Sequence, residues 1–342
     1  MKPLLLKHLS GEPIGRFPVW AMRQAGRYLE GYRAIRSKHT FWEMVSQPEV
    51  AADVSLTPLG VLPIDAVIFF SDILTLPYGL GVPVEMREGV GPVCTTPLRT
   101  VDSFQVFANY SASTHTAYVS EALKIVRART PEEITLLGFA GAPWTVASYL
   151  AEGKSGRKFE AIRTWMHRDP KGLTEALSLL GDATITYLKS QVQAGAQAVQ
   201  LFDTWLSEMP RDYFLRYYAP LLHRIVTALR GERVPVIFFG RHSHHVLEDL
   251  ADLPVDVLSA DELLPLSEVE RRTQARFSLQ GNLDPLLLFG ETSTVRRKTR
   301  ELVQEARSLK HPAIMNLGHG ILPGTPVENV RAFFEEARAL WV

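Results

Sequence analysis

A single (β/α)8 barrel of the TIM type is the fold this sequence predicts, with a β-hairpin excursion after the second strand. Eight short apolar runs recur along the chain, each bounded by Pro, Gly or a polar residue. Helical patterns alternate with them strictly. No low-complexity linker, charge run or internal repeat divides the chain, so one domain is expected over residues 1–342. Two domains of about 150 residues each, or an open doubly wound sheet, are the alternatives. Eight strands in strict alternation favour closure into one barrel.

The runs are nearly continuous in apolar character and rich in Val, Ile and Phe, the pattern of parallel strands covered on both faces. In order they are Val19–Met22, Ala66–Phe70, Thr135–Phe139, Ala198–Phe202, Val234–Phe239, Val255–Ser259, Arg276–Gln280 and Ala313–Leu317. Helices are expected over Pro48–Leu62, His115–Ala128, Leu173–Ala194, Asp212–Leu229, Val246–Leu253, Leu266–Thr273, Thr294–Leu309 and Pro326–Leu340. Many begin on a capping signal. Asp212 follows Pro210-Arg211, and Thr325-Pro326 sets an N-cap residue before a proline at the first helical position. The longest interruption, Leu74–Leu98, carries several Gly and Pro residues and short alternating apolar segments. It predicts the hairpin, lying over one barrel mouth.

Composition narrows the function classes. Hydrophobic residues make up 46% and charged residues 22%, enough apolar material for a large core. Lys+Arg and Asp+Glu both number 37, so neither nucleic acid nor an anionic membrane is an expected partner. Cys94 is the single cysteine, which excludes an intramolecular disulfide and a thiolate metal cage and fits a reducing compartment. The apolar run near the N-terminus, Leu4–Leu6, falls short of the roughly seven residues of a signal-peptide core. No stretch approaches the roughly twenty apolar residues of a membrane helix. A cytoplasmic protein is expected.

In such a barrel the chemistry sits at the C-terminal ends of the strands. Arg23, Gln24 and Arg27 follow the first strand, and Ser71 and Asp72 the second. Gly141, Trp144 and Tyr149 follow the third, and Asp203 and Thr204 the fourth. Arg241, His242, His244 and His245 follow the fifth, Asp261 the sixth, Asn282 and Asp284 the seventh, and His319 the eighth. No lysine ends a strand, so a Schiff base lacks its nucleophile. Neither a glycine-rich phosphate loop nor a Gly-x-Ser-x-Gly elbow is present. His242, His244 and His245 are spaced to ligate a metal, although a cluster on an exposed loop explains them more simply.

Met22–Lys38 reads MRQAGRYLEGYRAIRSK, setting Arg23, Arg27, Arg33, Arg36 and Lys38 against Glu30 alone. Guanidinium groups bind carboxylates bidentately, so a polycarboxylate ligand would suit this cluster, and a solvated basic face would suit it equally. Asp72, after Phe69-Phe70-Ser71, fits either a helix cap or a carboxylate in an aromatic pocket that offsets a developing cation. His319 lies between Gly318 and Gly320, which permits close backbone approach to a ligand.

These segments together resemble the uroporphyrinogen decarboxylase family of haem biosynthesis. The motifs are Pro18–Tyr28 (PVWAMRQAGRY), Phe70–Leu74 (FSDIL), Gly138–Tyr149 (GFAGAPWTVASY), Leu201–Thr204 (LFDT), Gln280–Pro285 (QGNLDP) and Asn316–Gly320 (NLGHG). The resemblance implies one (β/α)8 barrel, a homodimer, and no cofactor or metal. It implies loss of CO2 from the four acetate arms of uroporphyrinogen III to give coproporphyrinogen III. Position by position, it implies that Arg23 and Arg27 bind substrate carboxylates, with Gln24 and Ala25 in the same turn. Asp72 would accept the pyrrole N–H groups, and Tyr149 would sit beside the reacting acetate. Thr204 and His319 would hold other arms, Phe70 and Phe202 would line the flat pocket, and Arg36 would add a carboxylate contact. Catalysis would fall to Asp72, Arg23 and Tyr149.

The sequence departs from the family pattern in three places. Glu30-Gly31 stands where Pro-Glu is usual, which bears on the position of Arg36. Gly240–His245 (GRHSHH) replaces a Gly-rich segment, and Ser259-Ala260-Asp261-Glu262 replaces Gly-x-Asp-Trp. In the implied chemistry, protonating a pyrrole supplies the electron sink for CO2 loss, and a buried Asp72 anion stabilises the resulting cation. Arginine is a poor proton donor, so the general acid is either a water or a proton shared through Arg23. The rival readings are a barrel methyltransferase of the same superfamily, which lacks its His/Cys zinc ligands here, a metal-dependent barrel using the three histidines, and a non-catalytic tetrapyrrole carrier.

Overall fold

The computed structural model describes residues 2–87, 89–153, 159–311 and 313–339. Leu340, the expected end of the last helix, lies outside them, as do both ends of the expected 1–342 domain. The first strand formed is β1 (Ala66–Ile68), followed by the antiparallel hairpin β2 (Val84–Arg87) and β3 (Gly91–Cys94). The others are β4 (Thr135–Gly141), β5 (Ala198–Asp203), β6 (Val236–Gly240), β7 (Val257–Ser259), β8 (Ser278–Leu283) and β9 (Ala313–Leu317). Apart from the hairpin they form one parallel sheet in sequence order, β1-β4-β5-β6-β7-β8-β9. The hairpin lies inside the predicted excursion, which begins instead with a short helix, Thr75–Gly79.

The expected strand Val19–Met22 is corrected. It contributes a single parallel bridge, Val19 to Met315. Around that bridge the segment bonds to both edges of the sheet. The Met315 N–H donates to Pro18 O at 2.9 Å and Trp20 N–H to Met315 O at 3.2 Å. On the other side, Asp65 N–H donates to Val19 O at 2.8 Å and Val19 N–H to Asp65 Oδ2 at 2.9 Å. The segment thus occupies the eighth position and closes the ring. Beyond Trp20 the chain turns. Arg23 adopts φ +60°, which a pleated strand does not allow. Side-chain amides take over the lost ladder: Gln24 Oε1 accepts from Ala21 N–H, Gln24 Nε2 donates to Ala66 O, and Asn316 Oδ1 accepts from Met22 N–H.

Inward-facing residues at alternate positions fill the barrel, among them Trp20, Ile68, Phe139, Ile237, Phe239 and Ile314. Leu5, from a helix over Leu4–Leu9 absent from the sequence expectations, joins this inner cluster. A polar layer crosses it, in which Gln280 accepts from Trp20 Nε1 at 2.9 Å and donates to Ser259 Oγ at 2.9 Å. Outside the ring, helices lay apolar faces on the strands. Pro170–Gln193 buries Leu173, Leu177, Leu180 and Leu188 against it.

Three predicted helices change form. Pro48–Leu62 stops at Leu56 and runs on as turns. Asp212–Leu229 is interrupted by a π turn at Phe214–Tyr218, and Val246–Leu253 shrinks to Leu247–Leu250. Helix Pro143–Glu152 was not expected. It starts on Pro143 and ends on Gly153 at φ +81°, and it carries Tyr149. No helix among the described residues is long and apolar enough to cross a membrane.

Candidate active site

Parallel strands end together, so the loops after β1, β4, β5, β6, β7 and β9 gather at one mouth, joined by the turn after Trp20. Arg23 enters from that turn. Its side chain crosses Gly320, where any Cβ would overlap Arg23 Cδ and stand 2.6 Å from Cγ and 3.0 Å from Nε. Gly318 meets the same need on its other side, since a Cβ there would stand 2.6 Å from Glu262 Oε2. The Gly-His-Gly motif is therefore shaped by Arg23 and Glu262 as much as by space for a ligand.

Asp72 follows β1. Its Oδ1 accepts from Leu74 N–H at 2.8 Å, and the helix that starts at Thr75 receives no side-chain cap from it. Oδ2 makes no hydrogen bond among the described residues. The helix-cap reading of Asp72 therefore gives way to an Asx-type turn with one oxygen left over. Tyr149 projects from the helix after β4, its ring 6.0 Å from that of Trp205. His319 lies 6.3 Å from Phe239, which lies 5.9 Å from Phe202, and Phe202 meets Phe139 edge-on at 5.5 Å. Phe70 joins a second aromatic wall, 5.9 Å from both Tyr32 and Phe41.

These groups sense one another. Surrounding atoms desolvate Arg23 and lower its pKa, Tyr149 and Asp72 oppose that fall, and Arg241 and Arg27 add to it. Burial raises the Asp72 pKa against the Leu74 N–H and Arg23. Burial and then Asp72 raise Tyr149, against the neighbouring Trp205 indole and the charge of Arg23. Burial, then Arg23, Arg241 and His242, hold His319 down at about 3, so it is neutral at physiological pH. Arg23 is nonetheless exposed by surface area, and Asp72, Tyr149 and His319 are partly accessible. Desolvated groups that keep open surface line a recess rather than a packed core. Arg23, Asp72, Tyr149 and His319 are thereby brought together.

The other predicted residues divide. Arg27 is exposed and acts electrostatically on both Arg23 and Tyr32. Arg36 is exposed, donates to His39 O at 2.6 Å, and also acts on Tyr32, so it stands at the rim beside the Phe70 wall. Thr204 is partly accessible, and its hydroxyl has no partner among the described residues. Ala25 packs against the core. Gln24 is fully buried, with amide O and N both engaged in the ladder, so its side chain positions the turn rather than facing the recess.

The three histidines do not converge. His244 Nε2 contacts Asp261 Oδ1 at 3.1 Å, His245 Nε2 contacts Met209 O at 2.8 Å, and His242 bonds Asp261 Oδ2 through its backbone N–H at 2.6 Å. Among the described residues no group of three His, Cys, Asp or Glu side chains is placed to hold a metal ion. Cys94 is buried in the hairpin, with Sγ 3.3 Å from Thr96 O.

Sequence reading gave Asp203 no role. It is fully buried and accepts from Thr145 Oγ1 at 2.6 Å and Tyr218 OH at 2.7 Å, pinning the helix of Tyr149 to the end of β5. Burial pushes its pKa up to about 6 despite both bonds. Its signal lay in the LFDT and APWT segments, which this network ties together. Arg241 and Glu262, 3.8 Å apart at the same mouth, were also given no role.

Comparison with known proteins agrees with this geometry. The family model described as uroporphyrinogen decarboxylase (URO-D) matches residues 1–340. A uroporphyrinogen decarboxylase from Gloeobacter violaceus is 40% identical over 341 residues, covering 98% of this chain and 97% of that one. Its counterpart from Schizosaccharomyces pombe is 38% identical, covering 97% and 96%. Among solved structures, a methyltransferase from Methanosarcina mazei superposes with a TM-score of 0.80 at 21% identity, covering 97% of this chain and 96% of that one. At that identity the likeness speaks for the fold alone.

Proposed function

We infer the activity from a plain premise: this chain belongs to the uroporphyrinogen decarboxylase family. It is a carboxy-lyase of haem biosynthesis, and its substrate is uroporphyrinogen. In finer detail, all four acetate arms are decarboxylated and coproporphyrinogen III is released. The observation that carries the site assignment is the convergence of a desolvated guanidinium, a carboxylate with a free oxygen and a tyrosine in one aromatic-walled recess.

The substrate carries eight carboxylates, and a neutral recess would exclude it by the cost of desolvation. Arg23, beside Asp72 and Tyr149, and Arg27 and Arg36 near it supply the local counter-charge that the zero net charge of the chain does not. Asp72 Oδ2 accepts pyrrole N–H groups at the centre of the macrocycle. A proton added to a ring carbon beside the acetate arm leaves an iminium-like cation. The C–CO2 bond then breaks, and its electron pair neutralises that cation. Protonating the freed methylene carbon and losing the ring proton restores the pyrrole, so each arm exchanges CO2 for one proton. The Asp72 carboxylate, whose Oδ2 takes no hydrogen bond from the described residues and is left for the pyrrole N–H groups, stabilises the cation in a desolvated setting where the interaction is strong. Tyr149 stands beside the reacting arm, Thr204 and His319 receive others, and Phe70 and Phe202 bound the ring plane. Neutral His319 serves as a hydrogen-bonding group rather than a cation.

We further read the chain as one catalytic domain, acting as a homodimer in the cytoplasm without cofactor or metal. Anaerobic incubation with uroporphyrinogen, then oxidation and counting of carboxylates on the products, tests the reading. Four-carboxylate product supports it. Bound but unconverted eight-carboxylate material would instead identify a tetrapyrrole carrier.

A further inference from the structure

Among the described residues, the mouth holds a guanidinium that the mechanism leaves without a task. Arg241 directly follows Gly240, the last residue of β6, and its own N–H bonds Asp203 O at 3.3 Å. Its side chain is 28% accessible, and Glu262 Oε1 lies 3.8 Å from its Nη2. That separation is too long for a hydrogen bond. The contact leaves groups over on both sides, since Arg241 Nε and Glu262 Oε2 are each buried without a partner among the described residues. Buried charged donors without partners are costly, and proteins rarely keep them unless something else completes the pairing.

The surroundings say what that something is. Glu262 lies against Gly318 and Arg23 lies across Gly320, with His319 between. Arg241, Glu262, His319 and Arg23 therefore form one continuous row across the mouth. Both Arg23 and His319 register the positive charge of Arg241. The three arginines already assigned face a ligand of eight carboxylates, so the ligand brings anions to spare. Arg241 also lies in a segment, GRHSHH, that departs from the family pattern, as does Glu262.

We propose that Arg241 is a further substrate-binding residue, which takes one carboxylate arm of the tetrapyrrole and with Arg23 fixes its rotation in the mouth. This rests on the decarboxylase reading above. A planar guanidinium presents two parallel N–H groups, and a carboxylate arm fills that fork where Glu262 at 3.8 Å does not. The arm is an acetate or a propionate, and the product, which keeps only propionates, separates the two.

The test compares wild type, Arg241→Gln and Arg241→Lys in anaerobic steady-state assays with uroporphyrinogen, with coproporphyrinogen as inhibitor. Loss of one charge-assisted pair predicts a KM about 10- to 100-fold higher in Arg241→Gln, with a smaller change in kcat and an unchanged melting temperature. Inhibition by coproporphyrinogen that weakens in parallel assigns a propionate, and inhibition that stays while KM rises assigns an acetate. Should Arg241→Gln fail to fold, Arg241→Lys carries the test. It keeps the charge but loses the fork, so its KM rises at least about threefold. A wild-type KM in the folded variant overturns the assignment of Arg241. Wild-type enzyme that removes no carboxylate refutes the decarboxylase reading instead.

Discussion

Replacing Gly320 with alanine tests whether the placement of Arg23 matters to turnover. Gly320 is not among the glycines of positive φ, so its backbone tolerates a side chain. What does not tolerate it is Arg23. Ordinary contact begins at 3.4 Å, and the new methyl would stand 2.6 Å from Arg23 Cγ, so Cγ must retreat by about 0.8 Å. The guanidinium at the end of the chain moves at least as far. The side chain is flexible and opens onto the recess, so the fold loses well under about 1 kcal/mol. Catalysis is less forgiving: a misplacement near 1 Å costs about 10²-fold. The expected result for Gly320→Ala is therefore a nearly unchanged melting temperature and a kcat/KM about 10²-fold lower with uroporphyrinogen. Gly318→Ala is no substitute test, because it displaces Glu262 instead. Wild-type kinetics in a folded Gly320→Ala enzyme would refute the idea that Arg23 must lie across this glycine.

Two predictions concern pH and have opposite signs. His319 is held at about 3 in the fold, against about 6.5 in an unfolded chain. The stability it contributes is complete above pH 6.5 and is lost as pH falls toward 3. Between pH 7 and 5 the wild type should therefore lose about 2 kcal/mol more than His319→Gln in denaturant titrations, and parallel profiles would contradict this. Asp203 is raised to about 6, against about 3.9 unfolded, so its contribution is complete below pH 4 and declines as pH rises to 6, by about 3 kcal/mol. Asp203→Asn should abolish that decline, and a profile that keeps it would place the titration elsewhere.

How much of this was legible beforehand depends on what carried the signal. Strands β4 to β9 announced themselves because both faces are buried and their residues read as apolar runs. The segment Val19–Met22 reads the same way, yet it forms one bridge. Trp20 and Met22 are needed inside the barrel and Val19 and Ala21 in the core outside it, while the Ala21 and Met22 N–H groups pass to Gln24 and Asn316, and apolar pattern cannot distinguish a ladder from a side-chain replacement of it. Helix Pro143–Glu152 escaped notice because its residues are buried nearly all round, leaving no amphipathic period to detect. Within the site, motifs located Arg23, Asp72, Tyr149 and His319. They also nominated Gln24, whose side chain serves the barrel seam, because a motif records that a residue matters and not which way it points. Arg241 and Glu262 escaped for the converse reason, lying where this chain leaves the motif and meeting only when β6 and β7 pair.

The most direct measurement is the turnover of Asp72→Asn. Asparagine keeps the shape, and its Oδ1 keeps the bond from Leu74 N–H, so the loop after β1 has what it needs to stay in place. What changes is the free oxygen, which becomes an N–H pair aimed at the pyrrole nitrogens, without charge to balance the cation. The account predicts a folded enzyme with kcat on uroporphyrinogen lowered about 10²- to 10³-fold or more. Near-normal release of CO2 by that variant would contradict it.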